Sequence, residues 1–573
     1  MFKRICAFFL IALMLMTSLA YAAPMILEGE GSGMGGIIKV SVTVDGGVIK
    51  EIIVNEHKET AGISDTAFET VPQAIIAEQS VMVDTVTGAT KTSQAIIDAV
   101  KNALEKGGLN LADYEKILGT VQFEPKAEIN KETEVLVVGG GVAGLATAMT
   151  AAEAGADVLL IERMPFLGGN AIISAGIIQA AGTSVQREHG IEDDSPEKFI
   201  ADLANPDGKY QSDEKPLSHI MHREGSKQVE AMRARGLEFV AFQKEDLRMH
   251  IVAPELFKGG ATLIHLLEKE ARAAGAEIML DTRATSLIIE DGRVVGVKAE
   301  GLEQDVVIRA KAVILATGGY SSNKEMVAKY LPELANINSR AAKSIVGDGI
   351  ILAESAGGYA YAMDSGQQMF YVSKQSGIDV PLLLAFTPSI IVNKNGDRFV
   401  NESIDYNLAA RACVAQPDST GYIVFDEEVR RGHGTIDYYL GLGLVIEADT
   451  LEELADKIGV AKLTETVQNY NEMAKAGEDK DFQRMVNFKA LETPKFYAIE
   501  VEPQIYNSYG GIKIDEMAHV VNKAGQPIPG LYAAGEVAGS PEVQEGLRYT
   551  SGLAQGLVFG EIAAETAIAE MNK

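Results

Sequence analysis

The sequence predicts an α/β protein in which a Rossmann-type dinucleotide-binding domain receives an inserted α+β domain and follows a small α+β domain. Three observations lead to this prediction. A hairpin pattern and an amphipathic helix occupy residues 37–106, and a strand with a glycine-rich turn begins at Glu134. Short apolar strands followed by glycine return at 312–316 and 531–534. We therefore expect the late strands to join the early sheet, with the residues between them forming an insertion.

Composition supports packed domains and excludes one class of function. The chain has 573 residues and a formal net charge of −29, from 51 Lys and Arg against 80 Asp and Glu. Such an acidic balance excludes a protein that binds nucleic acid by neutralising phosphates. Hydrophobic residues make up 47% of the chain and charged residues 23%, values typical of folded domains and not of disordered chains.

The N-terminus has the three parts of an export signal. Two basic residues lead, residues 5–15 are apolar, and a small-residue cleavage site ends at Ala22. The alternative is a retained membrane anchor, but spanning a bilayer takes about 20 apolar residues. We therefore expect a signal peptide over residues 1–22 and an exported protein, located in the periplasm or at the extracytoplasmic cell surface.

The cysteines and histidines give little sign of a metal or haem site. Cys6 leaves with the signal and Cys413 remains alone, so no disulfide framework is expected. The Cys-x-x-Cys-His haem motif is absent from the sequence, and no haem is expected in this chain. His219 and His222 lie three residues apart on a probable helix, but no third ligand is evident. We interpret them as a surface pair and expect no metal.

The first folded domain is predicted over residues 23–122. Residues 37–44 alternate apolar and polar side chains, and a turn at Asp45 leads into a second strand over 48–54. Apolar residues then recur at helical spacing over 91–106. These patterns predict a β-hairpin followed by a helix.

The remaining boundaries follow from changes in pattern. A charged stretch without apolar periodicity predicts a linker over residues 123–132. We place the dinucleotide-binding domain at 133–363 and 500–573, and the inserted domain at 364–499.

A βαβ unit carries the dinucleotide motif. Residues 135–138 form an apolar strand, residues 139–144 fit G-x-G-x-x-G, and a helix of small residues follows. In this context the amides at the helix N-terminus face a pyrophosphate. Glu162 ends the next strand 18 residues beyond Gly144, a distance that suits a carboxylate bound to ribose hydroxyls. The same pattern at 31–36 leads into a strand, so we interpret that copy as unrelated to nucleotides.

Several later turns place glycine after an apolar segment, at 316–319, 347–349 and 533–536. Together with the Rossmann motif they resemble the FAD-binding signature of the fumarate-reductase and succinate-dehydrogenase flavoprotein superfamily. The resemblance implies non-covalent FAD, an inserted capping (clamp) domain and, since no second glycine-rich βαβ unit is evident, no nicotinamide nucleotide site in this chain. The residues assigned to FAD are Gly139, Gly141, Ala143, Gly144, Glu162, Arg163, Gly168, Gly169, Asn170, Ser174, Gly176, Ala316, Thr317, Gly318, Asp348, Gly535, Glu536, Ser551 and Leu553.

A second flavin is indicated at residues 84–93, which read Asp-Thr-Val-Thr-Gly-Ala-Thr-Lys-Thr-Ser and run into the helix described above. The segment resembles the FMN-binding domain in which the last Thr of a Ser/Thr-Gly-Ala-Thr motif is esterified to FMN phosphate. The resemblance implies covalent FMN, joined by a phosphodiester to Thr90. A phosphate at a helix N-terminus meets unpaired amides, which makes the chemistry coherent. The alternative is an ordinary threonine-rich N-cap.

The order of export signal, FMN domain, FAD domain and inserted domain resembles the exported flavin reductases that include urocanate reductase. These enzymes reduce a carbon–carbon double bond conjugated to a carboxylate with electrons from a membrane donor. The resemblance implies a small unsaturated acid as substrate and a membrane-associated electron donor. Three alternatives stay open: an enone or ketosteroid-type reductase or dehydrogenase, a true fumarate reductase, and a flavin electron carrier with no substrate of its own.

The expected substrate site departs from the fumarate-reducing members of the superfamily. Their His-Pro-Thr and Thr-Glu-x-x-Arg segments match residues 369–371 and 381–385 here, where the side chains are mostly apolar. Fumarate needs charged donors at both ends, so this loss favours an aryl- or alkyl-substituted enoate over fumarate. Core packing of the same apolar residues is the alternative.

Four residues are assigned to catalysis by this resemblance. Tyr406 stands where the family has its proton-donating Arg. It also fits the Arg-Phe-x-Asn-Glu-x-x-x-Tyr pattern of ketosteroid dehydrogenases, in which a Tyr serves in proton transfer. A shifted alignment offers Arg411 instead. Asn507 replaces the family's His before a Gly-Gly pair, and Arg548 matches the substrate-binding Arg near the C-terminus. We expect Tyr406 or Arg411 to protonate the α-carbon, and Arg548 with Asn507 to polarise the carboxylate or carbonyl.

Overall fold

The computed structural model describes residues 24–59, 64–86, 89–115, 126–203, 216–241, 248–254, 258–302, 304–380, 387–404, 406–544 and 552–573. The chain divides into two compact units, one up to Pro125 and one from Lys126 onward. The predicted signal peptide lies outside the described residues and stays a prediction. Over the described residues, no helix combines the length and the apolar content that a membrane crossing requires.

The first unit is an antiparallel sheet of three strands packed against two helices. The strands are β1 (Met25–Ser32), β2 (Ile37–Asp45) and β3 (Val48–Glu56), and the helices are α1 (Asp65–Glu78) and α2 (Thr90–Lys106). The predicted hairpin is present, with Gly46 and Gly47 both at positive φ in the two-residue turn. Alternate residues of β2, from Ile38 to Val44, are at most 1% exposed and pack with the apolar face of α2.

The glycines at 31–36, where the G-x-G-x-x-G pattern also occurs, have a packing role. A Cβ at Gly31 would collide with the carbonyl oxygen of Ala95 on α2. A Cβ at Gly33 would lie 2.5 Å from a carboxylate oxygen of Glu59, and one at Gly35 would meet the backbone of the same loop. These glycines therefore let α2 and the loop before residue 60 approach the sheet closely.

The second unit begins with the predicted βαβ fold. Its strands up to residue 363 are β4 (Ala127–Val138), β5 (Val158–Ile161), β6 (Ile177–Gln179), β7 (Phe239–Ala241), β8 (Met249–Val252), β9 (Glu277–Met279), β10 (Thr282–Glu290), β11 (Arg293–Gly301), β12 (Gln304–Leu315) and β13 (Ala360–Tyr361). Its helices are α3 (Val142–Glu153), α4 (Gly169–Ile172), α5 (Ser184–Glu188), α6 (Pro196–Leu203), α7 (Pro216–Ala234), α8 (Gly259–Ala273), α9 (Lys324–Tyr330) and α10 (Asp348–Ser355).

The inserted region carries its own sheet. Its strands are β14 (Gly366–Ser373), β15 (Ile390–Val392), β16 (Gly421–Asp426), β17 (Ile446–Ala448) and β18 (Phe496–Ser508). Its helices are α11 (Tyr406–Val414), α12 (Glu427–Gly432), α13 (Thr435–Gly441), α14 (Leu451–Ile458) and α15 (Leu463–Ala476). The chain ends with β19 (Gly511–Ile512), β20 (His519–Val521), β21 (Pro527–Ala533), α16 (Pro541–Gln544) and α17 (Gly552–Met571).

The large sheet has a parallel core, ordered β21-β12-β4-β5-β9. The late strands do join the early one, as predicted: Leu315 of β12 pairs beside both Val138 of β4 and Ala533 of β21. Helix α17 packs on α3 through Gly560, whose carbonyl accepts a hydrogen bond from Thr147 Oγ1 at 3.0 Å. The carboxyl ends of the parallel strands therefore meet at one edge, where ligands bind in folds of this class.

Two predicted boundaries need correction. The linker expected at 123–132 overlaps β4, because Ala127–Glu132 already pair in register with β12. This half of the strand is largely exposed and polar, which is why its sequence lacks apolar periodicity. The expected end of the insertion at 499 lies inside β18, which pairs with β14 from Val501 to Ser508. The cap, defined here as residues 364–508, therefore keeps the whole of β18.

Candidate functional site

The glycine-rich turn lies between β4 and the N-terminus of α3. Gly141 is the N-cap residue of α3, with extended backbone, and Glu162 follows β5 directly. The amide of Gly140 donates to Glu162 Oε2 at 2.7 Å, and the amide of Met164 donates to Oε1 at 2.9 Å. Burial raises the pKa of this carboxyl, while the amide bonds oppose the shift.

This turn fits the pyrophosphate of a dinucleotide. A Cβ at Gly139 would lie 2.5 Å from the carbonyl oxygen of Ala316, and a Cβ at Gly144 would collide with the carbonyl oxygen of Gly139. At Gly141 the nearest protein atom would be 3.9 Å away. Space therefore opens in front of the first turn of α3, whose amides have no acceptor within the helix.

Other residues assigned to FAD follow the strand ends of the same edge. Gly318 comes after β12 and Gly535 after β21, with φ of 74° and 76°. Gly168 and Gly169, at φ of 125° and 51°, lead into α4. Positive φ at these four positions explains the choice of glycine. The turns thus converge on the space before α3.

The remaining assigned residues are mostly engaged by neighbours. Asp348 forms ion pairs with Arg163, at 2.9 Å, and with Arg283, through two bonds of 2.9 and 3.0 Å. The sequence did not identify Arg283 as a partner of Asp348, because Arg283 lies 65 residues before Asp348 and belongs to no motif. Thr317 Oγ1 accepts from the amide of Gly349 at 3.2 Å.

Four further assigned positions are engaged by a local hydrogen bond or by close packing. Ser174 Oγ accepts from the amide of Gly176 at 3.2 Å, and a Cβ at Gly176 would lie 2.5 Å from the backbone of Gly259. Ala143 of α3 packs beside Gly535, and Leu553 is 9% exposed on α17. Ser551 lies outside the described residues.

A hydrogen-bonded cluster joins the FAD-binding part to the cap. Asn170 Nδ2 donates to Glu536 Oε2 at 3.1 Å and to Asn507 Oδ1 at 3.2 Å. Asn507 Nδ2 donates to Gln367 Oε1 at 3.0 Å, and the amide of Ser508 donates to Glu536 Oε1 at 3.0 Å. We call these five residues the polar junction. It brings the predicted cofactor residues Asn170 and Glu536 together with the predicted catalytic residue Asn507.

Glu536 supplies the one carboxyl group among the five residues of the junction. Burial raises its pKa to about 7, against the opposing effect of its hydrogen bonds from Ser508 and Asn170. A carboxyl in this range exchanges its proton near neutral pH.

Helix α11 of the cap lies beside the junction. Arg411 is exposed, and its Nε lies 3.4 Å from Oε1 of Gln368, the neighbour of Gln367 on β14. Asn407 Oδ1 accepts from the amide of Gln368 at 3.1 Å. Tyr406 is the first residue of α11, and its side chain lies outside the described part, as do Arg548 and residues 381–385.

The apolar segment around Met369 is divided between two environments. Met369 is half-buried on β14, whereas Phe370 is fully buried and packs against Tyr371 and Phe399 in the cap core. Phe370 is therefore a core residue, and Met369 is the one of the pair with surface to offer a ligand.

Sequence reasoning missed a buried group of four charged residues in the cap, which we call the ionic quartet. Arg398 donates to Glu402 through Nε and Nη2, both at 2.9 Å, and to Asp479 at 3.0 and 3.2 Å. Arg484 Nη1 donates to Glu402 Oε2 at 3.1 Å. The four side chains are at most 4% exposed, and their formal charges sum to zero. The i,i+4 spacing of Arg398 and Glu402 indicates an ion pair in the sequence. Nothing in the sequence indicates that Asp479, 81 residues after Arg398, lies beside them.

The prediction of a surface histidine pair is correct for His219 and wrong for His222. His219 is exposed, but His222 is 1% exposed and its Nε2 lies 2.8 Å from Glu542 Oε1. The ring of Phe199 packs against that of His222 at a tilt of 55°, with the ring centroids 4.4 Å apart. The helix turns His222 into the interior because the buried Ser218 and Val229, four residues before it and seven after it, share that face. Among the described residues, no group of three or more His, Cys, Asp or Glu side chains is placed to hold a metal.

In the first unit, Thr90 is the exposed first residue of α2. Its N-cap is Ala89, which offers no side-chain cap, so the threonine is not the N-cap that the alternative interpretation required. Thr92 Oγ1 donates to Glu59 Oε2 at 2.5 Å, and Ser93 Oγ donates to the carbonyl oxygen of Ala89 at 2.9 Å. The hydroxyls of Thr92 and Ser93 are therefore engaged, while Thr90 is exposed at a helix N-terminus that suits a phosphate ester.

Comparison with known proteins identifies both flavin domains. The FAD binding domain family model matches residues 134–544, and the FMN-binding domain family model matches residues 33–105. The predicted fold class and the two predicted flavin-binding domains are confirmed by these matches.

Relatives with known activities cover nearly the whole chain. The NADH:acrylate oxidoreductase of Vibrio harveyi is 32% identical over 94% of this chain, although this chain spans only 60% of its length. The urocanate reductase of Eggerthella lenta is 30% identical, covering 94% of this chain and 92% of the relative. The open conformation of a flavocytochrome c3 fumarate reductase is 33% identical over 77% of this chain and 79% of that chain, with a TM-score of 0.69. The chain therefore belongs to the FAD-binding oxidoreductase family that contains these reductases.

Proposed function

We propose that the protein is an exported flavin-dependent reductase that saturates the activated C=C bond of an α,β-unsaturated carboxylate of the urocanate, cinnamate or acrylate type. The observation that carries the proposal is the polar junction, which places Asn507 of the cap beside Asn170 and Glu536 of the FAD-binding part. Relatives named for acrylate and urocanate reduction support the same reaction class.

The chain's own residues have defined tasks in this proposal. The glycine turns before α3 would hold FAD, which would supply the hydride for the β-carbon of the substrate. Asn507 and Arg548 bind the substrate carboxylate and draw charge toward it. Asn170 holds Asn507, and the cap covers the reacting atoms from water.

A proton must reach the α-carbon, and α11 supplies the candidates. A phenol has an ordinary pKa near 10, whereas a guanidinium stays protonated above 12, so Tyr406 releases a proton more readily than Arg411. Arg411 is also exposed and turned toward Gln368. We therefore favour Tyr406 as the acid, with Arg411 as the alternative.

The substrate is proposed to carry one carboxylate and an apolar tail. Asn507 is neutral, and so are Asn170 and Gln367, the hydrogen-bond partners of its side chain, so this position lacks the charged donor that a second carboxylate, as in fumarate, would need. Met369, half-buried on β14, and the apolar residues 382–384 suit an aryl or alkyl group.

Electrons are proposed to enter through FMN esterified to Thr90 and to come from a membrane-associated donor outside the cytoplasm. The exposed Thr90 at the start of α2 supports the attachment, and the N-terminal sequence supports export. Isolation of the protein from a cell fraction outside the cytoplasmic membrane, with residues 1–22 removed, is the expected result.

The reaction is tested by anaerobic oxidation of reduced methyl viologen with acrylate, urocanate, cinnamate, fumarate and a 3-keto-4-ene steroid. Fast turnover of one monocarboxylic enoate is expected. Activity on the steroid alone would move the protein to the enone class, and fumarate as best substrate would contradict the pocket assignment. Turnover of none of them, with flavins that exchange electrons only with a protein partner, would make the protein an electron carrier.

A further inference from the structure

The segment 482–486 of the cap lies alongside residues 401–403 and bonds to each of them. Asn401 Nδ2 donates to the carbonyl oxygen of Phe482 at 3.2 Å. Arg484 Nη1 donates to Glu402 Oε2 at 3.1 Å, and Ser403 Oγ donates to the carbonyl oxygen of Val486 at 3.2 Å. We call this double segment the strut. It ends three residues before α11 begins.

Arg484 holds the strut together from inside. Its side chain is fully buried, and besides Glu402 it donates to the carbonyl oxygens of Val486 and Thr387 at 3.0 and 2.6 Å and to that of Ser389. The next residue, Met485, is 91% exposed. Hydrophobic burial therefore does not fix this part of the chain, and the guanidinium bonds do.

The strut lies directly before α11 in the chain. Glu402 is gripped by Arg398 and Arg484 together, and Asn401 Oδ1 also accepts from the amide of Ser403 at 2.9 Å. Tyr406, four residues after Glu402, is the first residue of the helix. Only residues 404 and 405 separate the strut from Tyr406 in the sequence.

We propose that Arg484 is a positioning residue for proton donation: through the strut it sets the position at which α11, and Tyr406 with it, begins. This inference rests on the proposed function, in which Tyr406 is the acid. Arg484 touches no reacting atom. Misplacing a catalytic group by about 1 Å costs on the order of 100-fold in rate, so a loosened strut lowers turnover while substrate binding changes little.

The test uses the flavin-loaded protein and its best enoate. Arg484→Lys keeps one charge but loses the planar fork, and turnover is expected to fall by about 10- to 100-fold with KM changed less than about threefold. FAD content and the rate of flavin reduction by viologen without substrate stay at wild-type values. Ser403→Ala, which removes one bond of the strut and no buried charge, lowers turnover a few-fold and serves if Arg484→Lys does not fold.

A double-mutant cycle separates positioning from general destabilisation. In a Tyr406→Phe background, Arg484→Lys or Ser403→Ala should cause no further loss of turnover, because the group they position is already gone. A loss of the same factor in both backgrounds would overturn the proposal, and so would wild-type turnover in Tyr406→Phe. Failure of the wild-type protein to reduce any enoate would instead refute the proposed function.

Tyr497→Phe is the matched control. It removes another buried hydrogen bond of the cap, from the Tyr497 hydroxyl to Glu427 Oε2 at 2.6 Å. Its thermal stability is expected to fall while turnover stays at the wild-type value. An equal loss of turnover in Tyr497→Phe and Arg484→Lys would show that any weakening of the cap suffices, and would overturn the specific role of Arg484.

Discussion

Replacing Glu402 with Gln tests whether the ionic quartet stabilises the cap as its burial implies. The carboxylate accepts four hydrogen bonds: two from Arg398, one from Arg484 and one from the amide of Ile391 at 3.2 Å. The substitution leaves two buried guanidinium groups facing the single carboxylate of Asp479. An uncompensated charge of this kind costs about 3 to 5 kcal/mol, which is a factor of roughly 100 to several thousand in the opening equilibrium.

Native-state hydrogen exchange followed by mass spectrometry measures this loss where it occurs. Protection in peptides that cover residues 389–404 and 479–486 should fall by at least about 100-fold. Glu453→Gln is the control, because Glu453 makes a 2.8 Å ion pair with Lys457 in which both side chains are 45% exposed. That variant should be indistinguishable from wild type, since exposed pairs contribute little. A change of less than tenfold in Glu402→Gln would refute the assignment of the quartet as a main support of the cap.

Three further outcomes follow from the geometry. Gly141→Ala should fold normally but lose FAD affinity by at least about tenfold, because its methyl group enters the open space before α3. Gly144→Ala should not fold, because its Cβ meets the carbonyl oxygen of Gly139. Circular dichroism measures folding and FAD titration measures affinity, so together they distinguish the two variants. Thr90→Val should abolish covalent flavin, seen by intact mass, while FAD content stays unchanged. Hydrogen bonding to Asp515 raises the pKa of His519. The stability that protonated His519 contributes is therefore present below the unfolded pKa of about 6.5 and is lost as pH rises through the raised pKa of the folded protein. The difference in Tm between wild type and His519→Gln should shrink between about pH 5.5 and about pH 9.

Local patterns predicted local structure well. The Gly46-Gly47 turn and the strands around it are a hairpin because a two-residue turn at positive φ matches the twist of its strands. The motif at 139–144 predicted the turn before α3 because all of its requirements lie within one βαβ unit. The copy at 31–36 leads into a strand, as its context indicated, and only the structure shows that Gly31 lies close to α2 and Gly33 close to Glu59.

Contacts between distant segments could not be predicted. Arg398 and Glu402 are visible as an i,i+4 pair, but nothing in the sequence places Asp479 and Arg484 beside them. His222 was misjudged for the same reason, because its partner Glu542 lies 320 residues away. A charged side chain is usually exposed. Its burial is tolerated only when the tertiary fold places an oppositely charged or hydrogen-bonding partner beside it.

The fold explains why the polar junction can form from residues so far apart in sequence. Glu536 follows β21 and Asn170 follows β5, so both lie at the carboxyl edge of the parallel sheet. Asn507 and Gln367 pair directly across β18 and β14, at the end of the cap sheet. Because β18 runs without a break from the cap core to Ser508, whose amide binds Glu536, the strand itself fixes the cap residue against the cofactor edge. A rigid strand therefore sets Asn507, while the strut sets the start of α11, and the two halves of the proposed chemistry have separate supports that mutation can separate.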